Sequence, residues 1–202
     1  MKVIALLNSE TPMTAIKIAF GVLALLLGPS APVLAGGFDQ TLSLQGVSFH
    51  VTCPNQGSIN ALRIEPHGLK KDYKVIMKEI EGAVTGVEVG DLNIDGSPEI
   101  YVYVTSAGSG SYGSLVAYAA NRKKSLTEIY MPPLEDDPKA SKGYMGHDEF
   151  AVVESAFVRR FPIYQDQDTN AKPTTGKMRQ IQYHLKAGEA GWILSAYRVI
   201  DF

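Results

Sequence analysis

The chain has 202 residues, of which 45% are apolar and 20% charged, with a formal net charge of −2. That is the composition of one globular domain, with or without a leader, and the mild acidity argues against a nucleic-acid-binding surface. A single cysteine, Cys53, excludes an internal disulfide framework.

The amino-terminal region has the pattern of a secretory signal. Lys2 and Lys17 precede an apolar run from Ile18 to Leu27, which Gly28, Pro29 and Ser30 break. Small residues at Val33-Leu34-Ala35 then fit cleavage after Ala35. The apolar run is well short of the ~20 residues that span a bilayer. No lipobox cysteine follows, so residues 1–35 are expected to be a cleaved leader and 36–202 a single soluble, exported domain with no membrane attachment. Met13 could also open a conventional leader. Removal of Lys2, Lys17 and Glu10 takes the formal charge from −2 to −3. Cys53 is expected to be buried as a small hydrophobe, the alternative being a link between two chains.

From residue 38 onward, apolar residues recur mainly at alternate positions. Leu42 and Leu44, then Val47, Phe49 and Val51, predict two strands around a turn at Gln45-Gly46. A further strand is expected over 59–66. Residues 73–80 suit either a short helix or an edge strand. Val84, Val87 and Val89 continue the pattern into Asp91.

Residues 91–99 (Asp-Leu-Asn-Ile-Asp-Gly-Ser-Pro-Glu) place Asp91, Asn93, Asp95 and Glu99 at positions 1, 3, 5 and 9. Oxygen side chains at such spacing can converge on calcium. An EF-hand is excluded because position 12 is Val102, where a bidentate Glu is needed. The competing reading is a hairpin turn, with Asp95-Gly96 supplying a positive φ.

Ile100, Val102 and Val104, alternating with Tyr101 and Tyr103, form the strongest strand of the chain. Residues 106–114 follow it: Ser-Ala-Gly-Ser-Gly-Ser-Tyr-Gly-Ser, with Ser106 and Ser114 at the ends. Glycine, hydroxyls and one aromatic suit insertion into another molecule's cleft, because Tyr supplies area at low entropy cost. A flexible hairpin connection would have the same composition. Strands are then expected at 115–119 and 126–131. After the polar loop 134–146, further strands are expected at 150–154, 157–164, 178–185 and 192–202. About ten short strands with little helical periodicity predict an all-β, antiparallel β-sandwich with at most one or two short helices.

The chemistry-bearing motifs are weak. Gly108-x-Gly110-x-x-Gly113 spells a dinucleotide fingerprint, but no alternating helices accompany it. No Walker lysine and no nucleophile elbow are present. His147 and Asp148 are adjacent, whereas a cooperating His–Asp pair usually comes from separate elements. Glu135, Asp136 and Asp137 lie in a Pro-flanked polar loop with no apolar pocket expected beside them. His50, His67, His147 and His184 lack metal-ligand spacing. Arg159-Arg160 and Arg122-Lys123-Lys124 read as solvated surface. No catalytic constellation and no cofactor emerge, with calcium at residues 91–99 the one alternative.

Residues 84–99, the 106–114 loop, Gly-Tyr-Met-Gly-His-Asp-Glu-Phe at 143–150, Arg-Arg-Phe-Pro-Ile-Tyr at 159–164 and Gly-Glu-Ala-Gly-Trp at 188–192 together resemble the periplasmic inhibitors of invertebrate-type (I-type) lysozyme. The resemblance implies a β-sandwich, often a homodimer, exported to the periplasm of a Gram-negative bacterium, and an inhibitor rather than an enzyme. It implies that a Ser-Gly-x-Tyr tip enters the active-site cleft of I-type lysozyme. In this chain that tip is Ser109, Gly110, Ser111 and Tyr112, with Gly108 and Gly113 supporting the loop. A lysozyme cleft presents two carboxyl groups, one protonated. Hydroxyls can donate to the carboxylate and accept from the acid, so Ser109 and Tyr112 can satisfy both. The charge of −3 would steer the chain modestly toward a basic enzyme. A calcium-stabilised structural or adhesive module organised by residues 91–99 is the alternative.

Overall fold

The structure is a computed structural model that describes residues 36–71, 74–169 and 173–202. The proposed leader, residues 1–35, lies outside the described residues, as does Tyr73.

Among the described residues, twelve strands form two sheets. The first holds β1 (Phe38–Leu44), β2 (Val47–Cys53), β3 (Ile59–His67) and β4 (Ile76–Glu81) in that order. The second comprises β5 (Ala83–Gly90), β6 (Glu99–Thr105), β7 (Gly113–Asn121), β8 (Ser125–Tyr130), β9 (Glu149–Val153), β10 (Ala156–Pro162), β11 (Met178–Ala187) and β12 (Trp192–Asp201). Its spatial order is β5-β6-β7-β8-β12-β11-β10-β9. Every pairing is antiparallel except a short parallel join of β8 to β12 at Ile129–Trp192 and Tyr130–Ile193. The expected antiparallel β-sandwich is therefore present. Of the ambiguous 73–80 stretch, residues 76–80 lie in the edge strand β4. Among the described residues, the single helical element is a 3₁₀ turn at Leu134–Asp136.

The eight-stranded sheet packs on both of its faces, which gives two cores. One lies against the four-stranded sheet, where Phe49, Val51, Leu62 and Ile64 meet Ile100, Val102, Val104 and Val116. The other lies within the second sheet, where Tyr101, Tyr103 and Ala117 meet Phe157, Phe161, Ile181 and Leu194. Strand β6 separates them. Its even-numbered residues enter one core and its tyrosines the other, as the period of two requires. This double burial explains why the sequence there carries almost no polar residue. Cys53 is 2% exposed in the first core, as expected.

The two edges of the eight-stranded sheet meet. Glu88 of β5 accepts hydrogen bonds from the Val152 backbone N–H of β9 and from the Tyr103 hydroxyl, the latter at 2.6 Å. A single carboxylate, rather than a ladder, closes the sheet toward a barrel.

Candidate functional site

The 106–112 loop joins β6 to β7, and its neck is closed by two reciprocal bonds. Ser106 N–H donates to the Tyr112 carbonyl at 2.9 Å, and Tyr112 N–H donates to Ser106 Oγ at 3.0 Å. Within the loop, Ser111 N–H donates to Gly108 O at 3.0 Å, and Ser111 adopts a φ of +44°. The residues of the predicted tip differ in burial. Ser109 is exposed, Gly110 is buried, Ser111 is half-buried and Tyr112 is 45% exposed. The serine and tyrosine singled out by resemblance are thus both exposed.

The loop leans on residues 143–148, part of the 143–150 stretch that carries the resemblance. His147 N–H donates to Gly110 O at 2.8 Å and to Ser111 O at 3.2 Å. Gly146 makes this approach possible. A Cβ there would stand 1.9 Å from Gly110 O, and its φ of +92° also favours glycine. The Tyr144 ring meets the Tyr112 ring edge-on at 5.7 Å between centroids and meets Phe161 at 4.8 Å. A groove of about 360 Å³ runs beside Tyr112, between residues 78–81 of β4 and 113–116 of β7.

Beneath the loop sits a buried ion pair. Arg159 Nε donates to Asp148 Oδ1 at 2.6 Å, and the two side chains are 5% and 0% exposed. The other carboxylate oxygen, Oδ2, accepts from Gly113 N–H at 2.7 Å and from the Tyr144 hydroxyl at 2.6 Å. Arg159 also donates to the Tyr144 hydroxyl oxygen at 2.8 Å, and its guanidinium carbon lies 4.9 Å from that ring's centroid. Burial works to lower the Arg159 pKa, but the charge and hydrogen bond of Asp148 outweigh it and hold the guanidinium above its ordinary value. Burial raises the Tyr144 phenol.

Arg159 corrects the sequence reading, which placed it on the solvated surface with Arg160. Arg160 is exposed, but Arg159 is 4% exposed. Strand alternation was the available signal. Arg159 shares its face with Phe157 and Phe161, so a charge there must be carried into an aromatic core with a partner. His147 and Asp148 do not form a hydrolytic pair in this arrangement, since Asp148 is engaged by Arg159, Tyr144 and Gly113.

The candidate calcium residues are arranged as a turn. Asp91 accepts backbone N–H bonds from Asp95 at 3.0 Å and Gly96 at 3.0 Å, and a side-chain bond from Gln45 at 2.6 Å. Asn93 Oδ1 accepts from Asp95 N–H at 3.1 Å, and Asp95 Oδ1 accepts from Ser97 N–H at 2.8 Å. Glu99 points inward, 1% exposed, and accepts from Leu92 N–H at 2.8 Å. Burial, with smaller contributions from Asp91 and Asp95, pushes its carboxyl up to about 8. Among the described residues, no three His, Cys, Asp or Glu side chains are grouped to hold a metal ion.

Asp136 and Asp137 also differ from expectation. They border a largely apolar cavity of about 310 Å³, walled by Leu134, Ile181, Tyr183 and Leu194. Asp137 Oδ1 accepts from the Lys139 and Ala140 N–H groups, each at 3.0 Å.

No curated protein and no solved structure matches the chain. A family model does match, over a segment that runs through β4 to β8, contains the whole 106–114 loop and ends at Gly143, before Asp148 and Arg159. Across those residues, 71–143, this chain matches the family PliI, the periplasmic lysozyme inhibitors of I-type lysozyme.

Proposed function

We propose that the protein inhibits I-type lysozyme by inserting the tip of the 106–112 loop into the enzyme's active-site cleft. The observation that carries this reading is the presentation of the tip: Ser109 and Tyr112 are both exposed, on a loop closed at its neck and braced by residues 144–148. The Tyr112 ring fills a sugar subsite. Its hydroxyl and that of Ser109 engage the two catalytic carboxyl groups, one as donor and the other as acceptor. Gly110 lies beneath them, and Gly108 and Gly113 let the chain pass close to the cleft walls. An already ordered loop loses little entropy on binding. The tip contains no glycosidic bond, so the enzyme cannot turn it over. This reading carries with it an inhibitor rather than an enzyme, export to the periplasm with loss of residues 1–35, protection of peptidoglycan from a host's lysozyme, and assembly as a homodimer.

The test is lysis of bacterial cell walls by I-type lysozyme, with chicken-type and goose-type enzymes beside it. Selective, stoichiometric protection by the folded mature chain is the expected result. Full lysis in every case would overturn the reading.

A further inference from the structure

Three supports of the 106–112 loop meet at Asp148. Its Oδ2 holds Gly113 N–H, the peptide immediately after Tyr112. The same oxygen holds the hydroxyl of Tyr144, whose ring forms one wall for Tyr112. Its own backbone follows His147, whose N–H reaches the Gly110 and Ser111 carbonyls. Arg159 anchors this junction to β10 through Asp148 Oδ1 and the Tyr144 hydroxyl.

We propose that Asp148 is the positioning residue of this site, fixing the loop's exit at Gly113 and the wall against Tyr112 before any partner arrives. The proposal rests on the 106–112 loop being the part that contacts lysozyme.

The geometry separates this role from that of an ordinary structural ion pair. A pair serving stability alone could spend its remaining acceptor on any nearby donor. Here the second oxygen is spent on the loop itself, one residue from the exposed aromatic. Contact with the loop on the other side also needs close approach: a Cβ on Gly113 would stand 2.5 Å from Asp148 Cβ and 2.6 Å from Phe150 Cε2. The loop therefore sits hard against the element that carries Asp148. Without that anchor the loop would populate several arrangements, and apparent affinity falls in proportion to the competent fraction.

Asp148→Asn keeps the shape and one acceptor but removes the charge that balances Arg159. Tyr144→Phe keeps the ring against Tyr112 and Phe161 and removes only the hydroxyl, so it carries the test if the first variant does not fold. Two quantities are read: amide hydrogen exchange in the free protein, and inhibition of I-type lysozyme. Exchange at Tyr112 and Gly113 should accelerate about tenfold in Asp148→Asn, with amides of β6 and β11 unchanged, and the inhibition constant should rise by a similar factor. Tyr144→Phe should show the same pattern at about threefold. Wild-type exchange at the loop in a folded variant would overturn the proposal. So would faster loop exchange with unchanged inhibition. The exchange measurement needs no lysozyme, so it judges the clamp even where the wild-type protein inhibits no enzyme, a result that would count against the proposed function instead.

Discussion

Two loops leave β6, one at each end, and they are held in opposite ways. Residues 91–98 are held largely by their own side chains: Asp91, Asn93 and Asp95 all accept backbone N–H groups from the same loop. Residues 106–112 spend only Ser106 in this manner. Beside the loop's own backbone bonds at Ser106 and Ser111, further support is borrowed from His147, Asp148 and Tyr144. A loop that consumes its own polar groups is a finished turn. A loop braced from outside keeps its tip side chains available for another molecule, and that contrast supports the proposal that 106–112 is the presenting element.

The contrast can be broken at several points. The largest effect is expected at Tyr112. Tyr112→Ala should cost at least ~2 kcal/mol of binding to I-type lysozyme, about thirtyfold in inhibition constant, with the melting temperature unchanged. A full-strength inhibitor carrying this change would move the site elsewhere. Next come two glycines compared directly. Gly146→Ala meets Gly110 O and should weaken inhibition about tenfold, alongside a stability loss of ~1–3 kcal/mol measured by urea melts. Gly96→Ala has a comparable positive φ of +77° but no atom within 4 Å of its Cβ. It should cost ~1 kcal/mol of stability and leave inhibition untouched. Equal inhibition by the two variants would erase the distinction between the loops.

The remaining prediction concerns stability against pH, not inhibition, and belongs to the 91–99 side. Glu99 has its carboxyl raised from 4.5 to about 8 in the folded chain. The unfolded chain therefore releases its proton first. The stabilisation is complete below about pH 4.5 and is lost as pH rises toward about 8, at no more than ~1.4 kcal/mol per pH unit. Denaturant midpoints at several pH values should show the decline, and Glu99→Gln should flatten it. An unchanged slope in that variant would assign the decline to another group.

Much of the fold was legible because a strand buried on one face writes its geometry locally. Val47, Phe49 and Val51 alternate in the sequence and lie in one core in the structure. The resemblance placed Ser109 and Tyr112 on a common loop, and both are exposed there. The sheet order was not legible. The parallel join of β8 to β12 brings Ile129 beside Trp192, and no local pattern encodes a partner so distant in the chain. The brace was missed for a related reason. Asp148 and Arg159 look like ordinary surface charges until the opposite walls of the core are known. The period of two pointed at Arg159, because it aligns with Phe157 and Phe161, but only the fold supplies the carboxylate that makes its burial tolerable.

The closure at Glu88 bears on how the chain behaves in a crowd of others. An open sheet edge offers unpaired N–H and C=O groups to any passing strand and so seeds aggregation. In this molecule the two ends of the eight-stranded sheet face one another, with a Cβ on Gly90 placed only 3.0 Å from Val152 Cγ1. Each edge shields the other, and the Glu88 carboxylate takes up the Val152 N–H that a foreign strand would otherwise seek. This seam protects the chain against edge-to-edge association with one half-buried acid rather than a full set of ladder bonds.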